Sequence, residues 1–380
     1  MNSDFIPLWE KEDAFPEKPT DQEYGYILRG KFVGCSREEL IRRCGSQELP
    51  QIHLIWCAGS PRVVPPTQVD FLSDALLQRE RGELRTAIVI GSISMLVWGV
   101  FPLLLGGLNH THAWAWMLLL VTATGVIPVV VGVYRLAKLK RNFEPAANER
   151  KAIGRYSAWV LTRRILFTWL LLGGITVVFA LECVRGFPES AKAAGLDKHA
   201  VWRGEWWRLF TGPLLHGNVM HFIFNASALI GLGRLMEVLT SRYYLALIFG
   251  VSALSGSIFS LFLLPNTTSV GASGGLLGLI GFLAVLGIKQ KQILPPGFAK
   301  SVGINVAIIA AMGILAYSII DNAAHLGGFI AGIAMGIIFV HSDKRSLPLE
   351  TEINVRIAGI TALIVTVGFA VLAAFRILTI

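Results

Sequence analysis

The chain of 380 residues is 53% hydrophobic and 16% charged, with a mean hydropathy of +0.59. This balance excludes an ordinary soluble globule and predicts a polytopic membrane protein of two or three domains. The net charge of +9 does not indicate a nucleic-acid partner. Residues 1–84 hold 10 Lys/Arg against 14 Asp/Glu, so the basic excess lies among the apolar runs, where it marks cytoplasmic loops.

In chain order, the N-terminus is acidic (Asp4, Glu10, Glu12, Asp13) and lacks an apolar core, so it reads as neither a signal nor a transit peptide. The first twenty residues, with Pro7, Pro16 and Pro19, are expected to be loosely ordered. A small soluble α/β domain is expected over 1–84. Tyr24–Val33 and Ile52–Cys57 read as strands, and Ser36-Arg37-Glu38-Glu39 as a capping box opening a short helix. Thr67 is expected to cap a helix ending at Leu84, with Val69, Leu72, Leu76 and Leu77 on one face. The four cysteines (Cys35, Cys44, Cys57, Cys183) form no CxxC pair and predict free thiols, with no metal site and no disulfide framework.

Two apolar runs at 86–107 and 113–134 form a hairpin around His110 and His112, which read as a short polar loop. A basic loop follows, from Arg135 through Lys138, Lys140, Arg150, Lys151 and Arg155 to Arg164, and the positive-inside rule places it in the cytoplasm. Further runs lie at 165–183, 219–239, 243–264, 273–288, 302–320 and 323–341, and a last one at 357–378. Alternating from the basic loop puts Arg242, Lys289/Lys291/Lys300 and Asp343/Lys344/Arg345 inside. The stretch 184–217 and the turn Pro265–Ser269 fall outside. The N-terminal domain is then cytoplasmic and Ser273 lies near the external face, with the plasma membrane as the expected location.

Polar side chains within apolar runs are functional candidates. Gly271-Ala272-Ser273-Gly274-Gly275 has two readings: small residues for close helix packing, or an exposed nucleophile that needs a base. At the same depth lie His325 and the group His216, His221, Asn225. Gly328, Gly332 and Gly336 follow His325 on one helical face, and Gly274, Gly278 and Gly281 follow Ser273. Two smooth faces let backbones touch and bring Ser273 and His325 together as a dyad. His221 and Asn225, four residues apart, can donate to an oxyanion, as can the backbone N–H of Ser273. Asp321 is the nearest acid, and no catalytic role is expected of it. The zinc-protease string HExxH, a paired-aspartate motif and a Walker A string are all missing.

These motifs together resemble the rhomboid family of intramembrane serine proteases, over about 165–345. Glu205-Trp206-Trp207-Arg208 is similar to the family's Trp-Arg loop motif. His216, His221 and Asn225 are similar to its second-span motif, Gly271-Ala272-Ser273-Gly274 to GxSG, and Ala324-His325-Leu326-Gly327-Gly328 with Gly332 to AHxxGxxxG. The family's aromatic four residues after the serine is Leu277 here. The resemblance implies a six-helix core followed by one trailing helix; with the two preceding helices read from the sequence, the chain is expected to be an all-α polytopic membrane protein. The chain then divides into a cytoplasmic domain (1–84), a hairpin with its basic loop (85–158), a protease core (159–345) and a trailing helix (346–380).

The resemblance further implies that Ser273 is the nucleophile and His325 the base. His221 and Asn225 become oxyanion donors, His216 a support, and Trp207 and Arg208 structural braces. No cofactor is implied. The expected partners are the lipid bilayer and membrane-protein substrates with a helix-destabilised transmembrane segment, not nucleic acid. The alternatives are a rhomboid-like protein that binds client transmembrane helices without cutting them and, more distantly, a transporter.

Overall fold

The computed structural model describes residues 7–100, 113–141, 147–342 and 347–380. His110, His112 and the Asp343/Lys344/Arg345 loop lie outside them. The described residues fall into two compact units, one running to Thr162 together with Ala310–Ile320, the other Arg163–Ile309 with Asp321–Ile380.

In the first unit, the expected strand 24–33 is a hairpin of β1 (Gly25–Leu28) and β2 (Lys31–Gly34). Arg29 and Gly30 both take positive φ, 51° and 77°, as the tight turn between twisted strands requires. Ser36 caps helix α1 (Arg37–Gly45) by accepting from Glu39 N at 3.1 Å, as the capping box predicts. The second strand shortens to β3 (Ile55–Trp56), which gives the sheet order β2-β1-β3.

The helix expected from Thr67 behaves differently. Pro65 and Pro66 lack backbone donors, and the chain makes two 3-10 turns, Pro66–Gln68 and Asp70–Leu72, before helix α2 begins at Ser73. With no proline near Leu84 to stop it, α2 runs on to Met95, so soluble helix and membrane span are one element.

Of the first twenty residues, those described, from residue 7 on, are anchored. Trp9 is buried between Tyr156 and Trp159, with ring centroids 5.1 and 5.6 Å away. The stretch expected as a basic loop is largely helical. After α3 (Ala113–Leu120) come α4 (Ile127–Arg141) and α5 (Ala147–Thr162). Some of its cations have partners within the unit: Lys151 bridges Asp70 at 2.8 Å, and Arg155 donates to the carbonyls of Trp9 and Lys11 at 2.5 and 2.8 Å.

The second unit starts with α6 (Phe167–Arg185), whose N-terminal amides are capped by Glu237 through Leu166 N at 2.9 Å and Thr168 N at 2.7 Å. The outer stretch folds into α7 (Phe187–Ala194), β4 (Leu196–Asp197), α8 (Lys198–Trp202) and α9 (Arg208–Thr211). Then come α10 (Val219–Leu239), α11 (Arg242–Leu263), β5 (Thr268–Ser269), α12 (Ser273–Lys289), α13 (Phe298–Leu315), α14 (Asn322–Phe339) and α15 (Ile353–Leu378).

Among the described residues, eight helices are long and apolar enough to cross a membrane, and α12, at 17 residues, is a shorter apolar helix. The fold is thus a mostly helical polytopic one with a small N-terminal sheet. Helix α12 is the centre of the second unit. Every residue from Gly274 to Leu283 is buried, which suits a helix apolar on all sides. Its closest packing partner is α14, with α11 against both.

Candidate active site

The site begins at glycines. A Cβ on Gly328 would drive into the carbonyl of Gly274, and one on Gly332 into the carbonyl of Gly278. One turn further, a Cβ on Gly281 would meet the carbonyl of Phe329 at 2.5 Å. The α12–α14 seam is therefore backbone against backbone, which only residues without side chains permit. The smooth faces inferred from the sequence do meet.

That seam places Ser273 at the first position of α12 and His325 in the first turn of α14. Asp321 caps α14, accepting from Ala324 N at 2.8 Å. Ser273, Gly274, Ser269, Asp321 and Ala324 line a cleft of about 30 Å³, room for roughly two water molecules. His325 follows Ala324 directly but is not among the cleft-lining residues. Among the described residues no hydrogen bond joins Ser273 to His325.

The histidines form a row. Asn218 caps α10 by accepting from His221 N at 2.9 Å. The His221 ring lies against Gly271, where a Cβ would come within 2.6 Å of its Cε1. Gly271 also has φ +127°, so this position favours glycine on two counts. His325 acts electrostatically on His221, and His216 stands 5.2 Å from His221, ring to ring. Asn225 is buried and spends one amide N–H on the carbonyl of His221, at 2.9 Å. Its second amide hydrogen is the one left for a ligand.

His216 is fully buried, and its backbone N–H donates to both carboxylate oxygens of Glu182 at 2.9 Å. Burial pushes its imidazole down to about 3, with repulsion from His221 adding to this, so the ring is neutral at physiological pH. Sequence reasoning missed Glu182. A carboxylate inside an apolar run was the signal that could have found it.

Arg208 is buried and donates to Glu205 Oε2 at 2.7 Å and to Gly195 O at 2.8 Å. The Trp207 ring carries the Arg208 guanidinium at 4.6 Å and that of Arg376 from α15 at 5.2 Å. Leu277, at the position of the family's aromatic residue, is buried in α12.

With serine, histidines and glycine seam in place, comparison with known proteins is informative. A rhomboid domain matches residues 203–342, which include all of these residues but Glu182, Gly195 and Arg376. The chain carries a rhomboid domain. The Rhomboid protease GluP of Bacillus subtilis is 31% identical over 53% of this chain and 39% of its own length. The RHOMBOID-like protein 6, mitochondrial, of Arabidopsis thaliana is 35% identical over 39% of this chain and 49% of its own. The chain thus spans less than half the length of these two relatives. The Putative rhomboid protease YdcA of Bacillus subtilis is 27% identical, over 45% of this chain and 90% of its own length. Relatives of this rhomboid chain therefore carry both protease and rhomboid-like names.

Proposed function

We propose that the chain is an intramembrane serine protease in which Ser273 is the nucleophile and His325 the base. The observation that carries this reading is the glycine seam. It puts a serine and a histidine at the N-terminal ends of two helices whose backbones touch, with the serine lining a small cleft. In the reaction, Ser273 Oγ attacks a peptide carbonyl carbon and passes its proton to His325. The resulting oxyanion is held by the Ser273 N–H, which has no intrahelical partner at the start of α12, and by His221 and Asn225. His325 then protonates the leaving amine, and water releases the acyl group.

The substrate is a membrane protein. A helical backbone hides its carbonyls in its own hydrogen bonds, so segments weakened by Gly, Pro or Ser are cut preferentially. On this reading the N-terminal domain is cytoplasmic and the cleft opens toward the outside of the plasma membrane, an orientation supported by the positive-inside rule and the basic residues of 135–164. His216 and Glu182 support the row of histidines, and Trp207 and Arg208 brace the outer stretch.

A second reading, a protein that holds client helices without cutting them, is favoured by one observation: Ser273 and His325 are not hydrogen-bonded. Such bonds often tighten only with substrate bound. A fluorophosphonate probe decides between the two. Detergent-purified wild type is expected to label and Ser273→Ala to remain unlabelled. Failure of wild type both to label and to cleave a model transmembrane substrate would leave the client-binding reading standing.

A further inference from the structure

Two of the cleft-lining residues, Ser269 and Asp321, belong to a polar cluster that the proposed chemistry does not use. Lys198, at the start of α8, is only 1% exposed. Its Nζ donates to Thr267 Oγ1 at 3.2 Å and, more closely, to Ser269 Oγ. Ser269 Oγ donates in turn to Asp321 Oδ2 at 2.5 Å, and Ser260 Oγ of α11 reaches the same oxygen. The other Asp321 oxygen caps α14 through Ala324 N. A backbone pairing runs alongside, with Leu196 and Asp197 of β4 opposite Ser269 and Thr268 of β5.

The positions of these groups give the cluster its meaning. Ser269 lies four residues before Ser273, and Asp321 four residues before His325. Resting on the reading of Ser273 and His325 as a dyad, we infer that Lys198 is a positioning residue. Through Ser269 and Asp321 it ties the strand leading to the nucleophile to the cap of the helix carrying the base, and so fixes the approach of the two groups. A buried ammonium is costly unless paired and hydrogen-bonded, and Asp321 is the carboxylate that the relay reaches. A displacement of about 1 Å between reacting groups can slow a reaction about a hundredfold, so a clamp at this point acts on rate rather than on substrate binding.

The charge on the clamp is titratable. Burial pushes the Lys198 ammonium down to about 8 from 10.5, opposed by the carboxylates Asp321, facing it from α14, and Asp197, beside it on β4. Helix α11 and strand β5 present hydroxyls, those of Ser260, Ser269 and Thr267. Asp321 also acts electrostatically on His325. Below about 8 the lysine is charged and the clamp is whole; as pH rises through about 8 the charge is lost. The folded value lies below the unfolded one. From this group alone, stability therefore rises with pH between about 8 and 10.5. Activity and stability consequently part company on the alkaline side, which a purely structural lysine would not cause.

The test uses the full chain in proteoliposomes, with a model transmembrane substrate and fluorophosphonate labelling. In wild type, kcat is expected to fall through an alkaline limb near pH 8 while melting temperature does not fall. Lys198→Met is expected to lower kcat at pH 7 at least about tenfold, a fraction of what misplacement can cost, with KM within about twofold, and to abolish the limb. Ser269→Ala removes only the relay hydroxyl; it covers the case in which Lys198→Met does not fold, and it should reproduce the kcat loss. Folded variants with wild-type kcat and an intact limb would overturn the clamp while leaving the dyad standing. Wild type that neither labels nor cleaves would overturn both.

Discussion

At the residue scale, His325 is where chemistry and packing can be separated. The seam between α12 and α14 is made by Gly328 and Gly332, and the cap of α14 by Asp321. None of these contacts uses the imidazole. His325→Ala is therefore expected to keep a melting temperature close to wild type and to cut the cleavage rate at least about a hundredfold, the low end for a lost general base. Equal loss of stability and activity would make the histidine structural, and full activity would remove it from the mechanism. Ser273 and His325 were legible in the sequence because a hydroxyl and an imidazole stand out against apolar runs. Lys198 was not, because its partners lie 69 and 71 residues away and a loop lysine has no pattern of its own. Asp321 was seen as the nearest acid, but its bonds to Ser260 and Ser269 exist only once three separate segments meet.

At the element scale, the glycine faces carry the prediction. Val at Gly332 would place its Cβ on the backbone of Gly278, and no side chain is there to move aside. Overpacking a core typically costs about 1–3 kcal/mol, and a rigid backbone neighbour puts this site at or above the top of that range. Gly332→Val is expected to lower the melting temperature clearly and to lose activity as a consequence. Gly303, with open space around its Cα inside α13, is the control, and Gly303→Ala should leave activity unchanged and not lower the melting temperature. The faces were readable from spacing alone because helical period converts intervals of three and four into one side of a cylinder. Element ends were harder. The end expected for α2 at Leu84 rested on a change in composition, whereas a helix stops only where backbone geometry or capping makes it stop. Likewise the basic stretch read as loop from its charge, yet lysine and arginine are good helix formers and α4 and α5 use them as such.

At the scale of the whole molecule, orientation is set by the distribution of charge. The cytoplasmic placement of the basic residues rests on their charge alone, and some of those charges have structural partners: Lys151 with Asp70, Arg155 with the carbonyls of Trp9 and Lys11. Single cysteines at two exposed positions, Asn266→Cys and Lys291→Cys, made with the exposed Cys183 changed to Ser, test it. An impermeant maleimide added to intact cells is expected to modify position 266 and to spare 291. The reverse pattern would turn the cleft to the cytoplasmic side.

The continuity of α2 has its own consequence. A helix of 23 residues is a rod of about 35 Å at 1.5 Å per residue, and it has no joint where the soluble domain stops and the apolar run starts. A twist or pull applied to the sheet and α1 would reach the hydrocarbon as rotation of a stiff shaft instead of being absorbed by slack chain. Domain surgery meets the same rod. A cut after Leu84 would saw through its middle and leave raw backbone amides at the water's edge, whereas a cut within the turns before Ser73 would follow the grain of the fold.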